Sequence, residues 1–279
     1  MILRLLFLFI SLLFSVHYLN AQSNRTFTVN GVSFTMVYVQ GGTFKMGKCQ
    51  KRVTLPNYYI GQTEVTQELW QAVMGKTSCT FVFKGNQLPV NSVSWKDSKL
   101  FLEKLNKLTG KQYHLPSEAQ WVYAAIGGKH SLGYKYAGSD DYLKVAWGSI
   151  NTQTYNDIDM LNLYNSHHFF KAKKLNDSVR NYFFQNYKKD LWEIKPVAQL
   201  RPNELGLYDM SGNVCEFCED DFDFDPMLTA MRNPIFRDKN SDSKVIRSFS
   251  FRHVTSELGN RSSVGPDDRW VDFGLRIAL

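Results

Sequence analysis

The stretch that decides the fold reads NELGLYDMSGNVCEFCED and runs from Asn203 to Asp220. Gly206 and Gly212 interrupt its apolar runs, and glycine is frequent in turns because it adopts positive φ without steric cost. Residues 209–213 favour an Asx-type turn, since Asp and Asn side chains hydrogen-bond to the neighbouring backbone. From Val214 onward the pattern predicts a short strand.

This stretch resembles the signature of the formylglycine-generating-enzyme family, also called the sulfatase-modifying-factor domain, which reads GLYDMSGNVWEW at the corresponding place. Further similar pieces follow in the family's order: VQGGTFKMG (39–47), EVT (64–66), PVNSVSW (89–95), YHLPSEAQW (113–121) and GLRIA (274–278). The resemblance implies an α+β domain with the formylglycine-generating-enzyme fold, which is C-type-lectin-like, with short antiparallel strands, few helices and much irregular structure. Because the pieces cover nearly all of the chain after its start, it also implies a single domain over residues 22–279.

The start of the chain predicts export. Residues 1–21 are interpreted as a secretory signal peptide, with Arg4 as its charged start, Leu5–Val16 as its apolar run and Ala21 before the cut. The apolar run is too short for an ordinary transmembrane span, so the mature chain is expected to have none. The expected location is periplasmic, cell-surface or extracellular, and the alternative is an uncleaved anchoring segment.

The distribution of charge along the chain limits the classes of partner that we expect. The chain of 279 residues has a formal net charge of +7, but its basic residues are scattered and enriched only at 171–189. Scattered charge is typical of a solvated surface, and no nucleic-acid-binding motif is present, so nucleic acid is not an expected partner.

Residues 155–192 are too long for a simple connection and are interpreted as an insertion.

Local patterns predict the strands. Alternating residues on both sides of Asn30-Gly31 indicate a β-hairpin. Residues 54–60, 245–251 and 273–278 are interpreted as further strands.

Capping signals predict the helices. Ser94 with Asp97, and Ser117 with Gln120, form capping boxes at the start of two expected helices. A third helix is expected over residues 64–74, where Gly75 would end it.

The redox chemistry of the family requires sulfur ligands. Family enzymes oxidise a sulfatase cysteine with dioxygen on copper held by two cysteines, and soft thiolates are what Cu(I) prefers. The two cysteine positions align here with His253 and Leu258, after the run SFSF at 248–251, which lacks the family's paired glycines. One imidazole beside a leucine does not rebuild a dithiolate, so no copper is expected.

The cysteines of the chain do not restore that pair. On an extended strand, Cys215 and Cys218 would have Cα atoms roughly 10 Å apart and side chains on opposite faces, which exceeds disulfide reach. They are interpreted as buried thiols or as partners of other cysteines. With Cys49 and Cys79 the chain has four cysteines, which allow three pairings, and the sequence does not choose among them.

A structural calcium site is the cofactor that the resemblance implies. In relatives the ion is held by groups that correspond to the Asp209 side chain, the carbonyls of Gly212 and Val214, and the Glu216 carboxylate. Calcium accepts such mixed sets of oxygen ligands, at about 2.3–2.6 Å. The alternative is that Asp209 only caps the turn while Glu216 faces water.

With the copper pair absent, the expected function is that of a calcium-stabilised, non-catalytic binding module, or pseudoenzyme, with an unknown protein or glycan ligand. No catalytic residue is assigned. Arg247, Arg252, His253 and Trp270 are the candidate ligand-binding residues, because Arg and Trp suit anionic or sugar-like partners. Two alternatives stay open: an oxidoreductase of the formylglycine-generating type with an altered active site, and a diversity-generated lectin-like receptor.

Overall fold

A computed structural model of the chain describes residues 23–47, 49–76, 80–152, 193–224, 232–253 and 257–279. The predicted signal peptide and the insertion predicted at 155–192 lie outside these residues. The single-domain assignment stays a prediction.

Within the described residues the chain forms nine short strands and four α-helices. In chain order they are β1 (Arg25–Val29), β2 (Val32–Val39), β3 (Thr43–Met46), β4 (Lys51–Thr54), β5 (Tyr58–Gly61), α1 (Gln67–Met74), α2 (Trp95–Thr109), α3 (Glu118–Ala125), α4 (Ser149–Thr152), β6 (Cys215–Asp221), β7 (Lys244–Arg247), β8 (Arg261–Val264) and β9 (Phe273–Gly274). None of these helices has the length and hydropathy needed to cross a membrane.

The strands form three small sheets. β1, β2 and β5 make an antiparallel three-stranded sheet, and β3 pairs with β4 as a separate hairpin. The third sheet has the order β8-β7-β6-β9, in which only β6 and β9 are parallel. This third sheet carries the decisive stretch on its strand β6.

The predicted β1–β2 hairpin is confirmed, because Asn30 and Gly31 both have positive φ, as a tight two-residue hairpin turn requires. The single strand predicted over 54–60 is wrong. β4 ends at Thr54 and β5 begins at Tyr58, with Pro56 between them, and proline has no N–H for a strand ladder.

The strand predicted over 245–251 is also shorter than expected. β7 ends at Arg247, because Ser248 adopts a positive φ of 55° that no regular strand allows. The Ser248 hydroxyl donates to the carbonyl of Gly212 at 3.1 Å. This hydrogen bond ties the bend to the loop of residues 203–214 before β6, which we call the signature loop. At the end of the chain, β9 covers only Phe273–Gly274, and Ala278 makes isolated bridges.

Both capping boxes are confirmed. In α2 the Ser94 hydroxyl accepts from the Asp97 N–H at 3.1 Å, while the Asp97 carboxylate accepts from the Ser94 N–H at 2.8 Å. Ser117 and Gln120 repeat the arrangement in α3. The helix predicted over 64–74 begins three residues late, because Thr66 is its N-cap.

Strand β6 separates two hydrophobic clusters. Cys215 and Phe217 belong to the cluster around Trp70 and Phe101, whose rings stack at 5.0 Å. Cys218 belongs to the other cluster. The prediction that the two cysteines lie on opposite faces is therefore confirmed, and both thiols are free.

The last residues of the chain run into the interior. The Gly61 N–H donates to the Ile277 carbonyl at 2.8 Å, and His114 and Ala278 exchange two backbone hydrogen bonds. This path places Arg276, between two apolar residues, in the centre of the molecule.

Candidate functional site

A fully buried ion pair lies directly beneath the signature loop. The Arg276 guanidinium donates to Glu216 at 2.8 and 3.0 Å, and both side chains are 0% exposed. The Trp121 indole N–H donates to the same carboxylate at 2.7 Å. Arg276 also donates to the carbonyls of Gly61 and Tyr208, so its buried charge is well hydrogen-bonded.

Two further carboxylates, those of Glu64 and Asp209, are buried beside this pair. Burial raises the pKa of Glu64 well above its ordinary value, and the nearby charges of Asp209 and Glu216 raise it further. Burial also raises the pKa of Asp209 to about 6. Among the described residues, three carboxylates face the one guanidinium of Arg276, so this group is short of positive charge, which protons or a cation must supply.

One oxygen of the signature loop is open to a hard cation. Asp209 Oδ2 accepts from the Ala198 N–H at 2.8 Å, but Asp209 Oδ1 is buried with no partner among the described residues. An unpartnered carboxylate oxygen beside excess negative charge is what a calcium ion would neutralise. No three acidic, histidine or cysteine side chains in the described ranges form a ready metal site. Such a site would therefore depend on the carbonyls of Gly212 and Val214. Glu216 is buried, so the alternative in which it faces water is wrong.

Glu64 holds this loop in place, although sequence reasoning did not single it out. Its carboxylate accepts from the Asn213 side-chain amide at 2.8 Å and from the Val214 N–H at 3.1 Å. The available signal was its place in the EVT piece at 64–66. Arg276 was missed as well, and its signal was a charged residue inside the apolar run GLRIA.

The turn at Ser250 assembles a second polar group, on the far side of the same loop. The buried Ser250 hydroxyl donates to Asp272 at 2.7 Å and lies 3.0 Å from His253 Nδ1. The Ser250 N–H donates to the same Nδ1 at 3.1 Å, so Nε2 carries the proton of the neutral ring. The Phe249 ring stacks on the imidazole at 4.5 Å. His253 is thus held in one orientation.

The four candidate ligand-binding residues do not all meet at this turn. Arg252 lies beside His253, with its guanidinium 4.0 Å from the Asp272 carboxylate. Trp270 is half-buried and packs on Phe273. Arg247 is buried elsewhere, in an ion cluster with Glu118 and Arg261.

One thiol reaches the Ser250 turn. Cys215 contacts Ser250, and burial together with the Asp272 charge raises the pKa of this thiol. Cys218 lies on the other face of β6, and Cys49 is exposed on the β3–β4 hairpin. Cys79 lies outside the described residues.

The described residues on both sides of 153–192 also meet here. The Thr152 hydroxyl donates to the Phe251 carbonyl at 3.0 Å. On the other side, Ile194 packs against Phe251, and the Lys195 N–H donates to the Asn213 side chain at 3.0 Å. Both anchors therefore brace the turn that holds His253.

The three small sheets, the few helices and the buried signature loop define a formylglycine-generating-enzyme fold, which is C-type-lectin-like. The family model of the sulfatase-modifying factor enzyme 1-like domain matches residues 23–279, so the chain belongs to this family.

Relatives and solved structures agree with this assignment. The chain is 31% identical to the chaperone protein LppX of Paenibacillus barcinonensis, over 77% of this chain and 79% of that protein. It is 30% identical to the formylglycine-generating enzyme of Streptomyces coelicolor, over 68% of this chain, and spans 52% of that enzyme's length. The structure of Treponema denticola variable protein 1 superposes with a TM-score of 0.69, at 24% identity, over 92% of this chain and 98% of that one. The predicted fold is thereby confirmed.

Proposed function

We propose that this protein is an exported, non-catalytic binding module that calcium stabilises and that binds a protein or glycan at the surface around Arg252, His253 and Trp270. The observation that carries the proposal is the Ser250 turn. Of the two positions that align with the copper cysteines, His253 is bound to Ser250, and Leu258 packs against the second cluster. Within the described ranges, this turn has a single thiol and no dithiolate.

The turn offers hydrogen-bond donors rather than a redox centre. Because His253 Nδ1 accepts from Ser250, the neutral imidazole acts as a donor through Nε2. The Arg252 guanidinium adds a positive charge that Asp272 offsets only loosely, at 4.0 Å. Donors of this kind suit carboxylate and sugar oxygens, which are the acceptors that protein and glycan ligands supply.

Copper binding is the deciding test. The purified protein is titrated with Cu(I), and oxygen consumption is followed on a sulfatase peptide that contains cysteine, with the Streptomyces coelicolor enzyme as positive control. We expect neither stoichiometric copper nor oxygen consumption. Copper bound one to one, together with oxygen consumption, would replace the binding module by an oxidoreductase.

One observation favours that second candidate, an oxidoreductase with an altered site. Cys215 and His253 both contact Ser250 and would supply one sulfur and one nitrogen ligand. If this candidate holds, Cys215→Ser abolishes copper binding, while Cys49→Ser on the exposed hairpin leaves it intact. Loss in both variants or in neither would exclude Cys215 as the ligand.

The third candidate is a diversity-generated receptor. One protein of similar fold is named a variable protein, and the residues that would vary in this chain lie between Phe251 and Trp270. Adenine-rich codons in this segment and a near-copy of its DNA beside a reverse transcriptase would support this candidate, and their absence would remove it.

The calcium part of the proposal is supported by the unpartnered Asp209 oxygen and the shortage of positive charge around Glu216. When bound, calcium would supply two positive charges there, held by Asp209, Glu216 and the carbonyls of Gly212 and Val214. A ligand at 100 times its dissociation constant stabilises the folded state by about 2.7 kcal/mol. Thermal unfolding in calcium and in EDTA should therefore differ by several degrees for the natural chain and not for Asp209→Asn. Equal midpoints in calcium and EDTA for the natural chain would contradict the site.

Export is tested separately. For this chain, export is supported by the pattern of residues 1–21. Cell fractionation with N-terminal sequencing should recover a mature chain that begins at Gln22. Recovery of the intact chain from the cytoplasm would refute export.

A further inference from the structure

A cavity of about 260 Å³ opens at the surface, and none of its lining residues belongs to the Ser250 turn or to the candidate calcium ligands. Its lining residues come from three places: the end of β2, the turn after α3, and the signature loop. They are Tyr38, Gln40, Lys129, His130 and Leu205. Neither the family match nor the proposed function assigns them a role.

The chemistry of the lining is that of an anion site with one apolar wall. Lys129 and His130 are exposed, and no Asp or Glu of the described chain forms an ion pair with either of them. Gln40 adds an amide, while the Tyr38 ring and Leu205 supply apolar surface. An unpaired cation beside an aromatic face suits a ligand that carries a carboxylate on an apolar ring.

The cavity is built on fixed parts of the fold. The Tyr38 ring packs edge-on against Tyr59 at 5.5 Å. The Tyr123 hydroxyl donates to the Gln40 carbonyl at 3.3 Å, which fixes the chain next to Gly42. A Cβ at Gly42 would come within 3.3 Å of Lys129 Cε, so the lysine stem packs on this glycine. A preformed site loses little conformational freedom when it binds.

We propose that the cavity binds one uronic-acid sugar unit, with the carboxylate at Lys129 and His130 and the sugar ring against Tyr38. The volume supports a single sugar unit, because it falls just below the range of about 300–1,000 Å³ typical for drug-sized ligands. This site acts in addition to the proposed surface at His253 and does not depend on it.

The test compares a short oligogalacturonate with a neutral galacto-oligosaccharide of the same length, by isothermal titration calorimetry at low salt. We expect the acidic chain to bind and the neutral chain to bind at least tenfold more weakly. Lys129→Ala and His130→Ala should each lower the affinity about tenfold, since each removes one charge-assisted contact. Lys96→Ala is the control, because Lys96 is also an exposed lysine but lies on α2, where it pairs with Asp267.

All substituted side chains are exposed, and unchanged unfolding midpoints would show that the variants fold.

Several results would overturn the proposal. They are equal affinity for the acidic and neutral chains, no binding of either chain, and a loss in Lys96→Ala as large as in Lys129→Ala. If the protein bound phosphatidylglycerol vesicles more tightly than oligogalacturonate through Lys129 and His130, the cavity would be a lipid-binding site. That result would also overturn the proposal.

Discussion

Replacing Arg276 by methionine tests the buried charge arrangement directly. Methionine keeps much of the side-chain volume but removes the one guanidinium that, among the described residues, faces Glu64, Asp209 and Glu216. Breaking a buried pair by removing one partner costs about 3–5 kcal/mol, because the other charge stays buried and unpaired. The carbonyls of Gly61 and Tyr208 lose their donors as well. For a domain of this size, each kcal/mol shifts the unfolding midpoint by about 2–4 °C, so we expect a decrease of about 6–20 °C.

The measurement is thermal unfolding in EDTA, so that no metal replaces the lost charge. Arg269→Met is the control, because the Arg269–Asp97 pair is partly exposed, at 48% and 25%, whereas the Arg276–Glu216 pair is fully buried. Exposed pairs contribute about 0–1 kcal/mol, so this variant should unfold within a few degrees of the natural chain. A decrease for Arg276→Met no larger than for Arg269→Met would refute the reasoning, since the buried carboxylates would then not need the guanidinium.

Three further predictions follow from burial and capping. Burial raises the pKa of Asp220 to about 7. Between about pH 4 and 7 the folded state therefore holds a proton that the unfolded state has lost. The free energy of unfolding falls as pH rises through this window. This fall should be smaller in Asp220→Asn, and equal pH profiles of urea unfolding would contradict it. Ser94→Ala removes the α2 cap and should lower the free energy of unfolding by about 0.5–2 kcal/mol in the same assay, whereas an unchanged value would contradict the capping role. A thiol reagent should react with Cys49 in the folded protein but with Cys215 and Cys218 only after unfolding, because burial raises the pKa of both inner thiols; fast reaction of all three would contradict their burial.

Local signals predicted the local structure well. The capping boxes at Ser94 and Ser117 and the turn at Asn30-Gly31 each depend on residues within three positions of one another, so their physics is visible in the sequence. The strand predicted over 245–251 failed because its end is set by a distant partner. Ser248 leaves the strand to bond with Gly212, which is 36 positions away.

Contacts between residues far apart in sequence also explain which residues of the candidate site were predicted wrongly or missed. Arg247 was expected to line the ligand surface because an arginine in an alternating run is a plausible contact. Its charge is instead compensated by Glu118, from a helix far away in sequence. Pairings across such separations depend on how the sheets pack, and periodicity does not encode them. The Glu216–Arg276 pair, 60 positions apart, was missed from the sequence for the same reason.

Strand geometry bears on the copper question more directly than the aligned residues do. Cys215 and Cys218 are three steps apart on β6, so their side chains point into different clusters, roughly 10 Å apart at Cα. For both thiols to reach one metal ion, β6 would have to give up its pairing with β7 at Phe217 and Ile246, in the middle of the core. One sulfur is therefore the most that this strand can offer to the Ser250 turn, and the imidazole of His253 is a nitrogen donor. Among the described residues there is no second sulfur at this turn for a Cu(I) site that needs two thiolates.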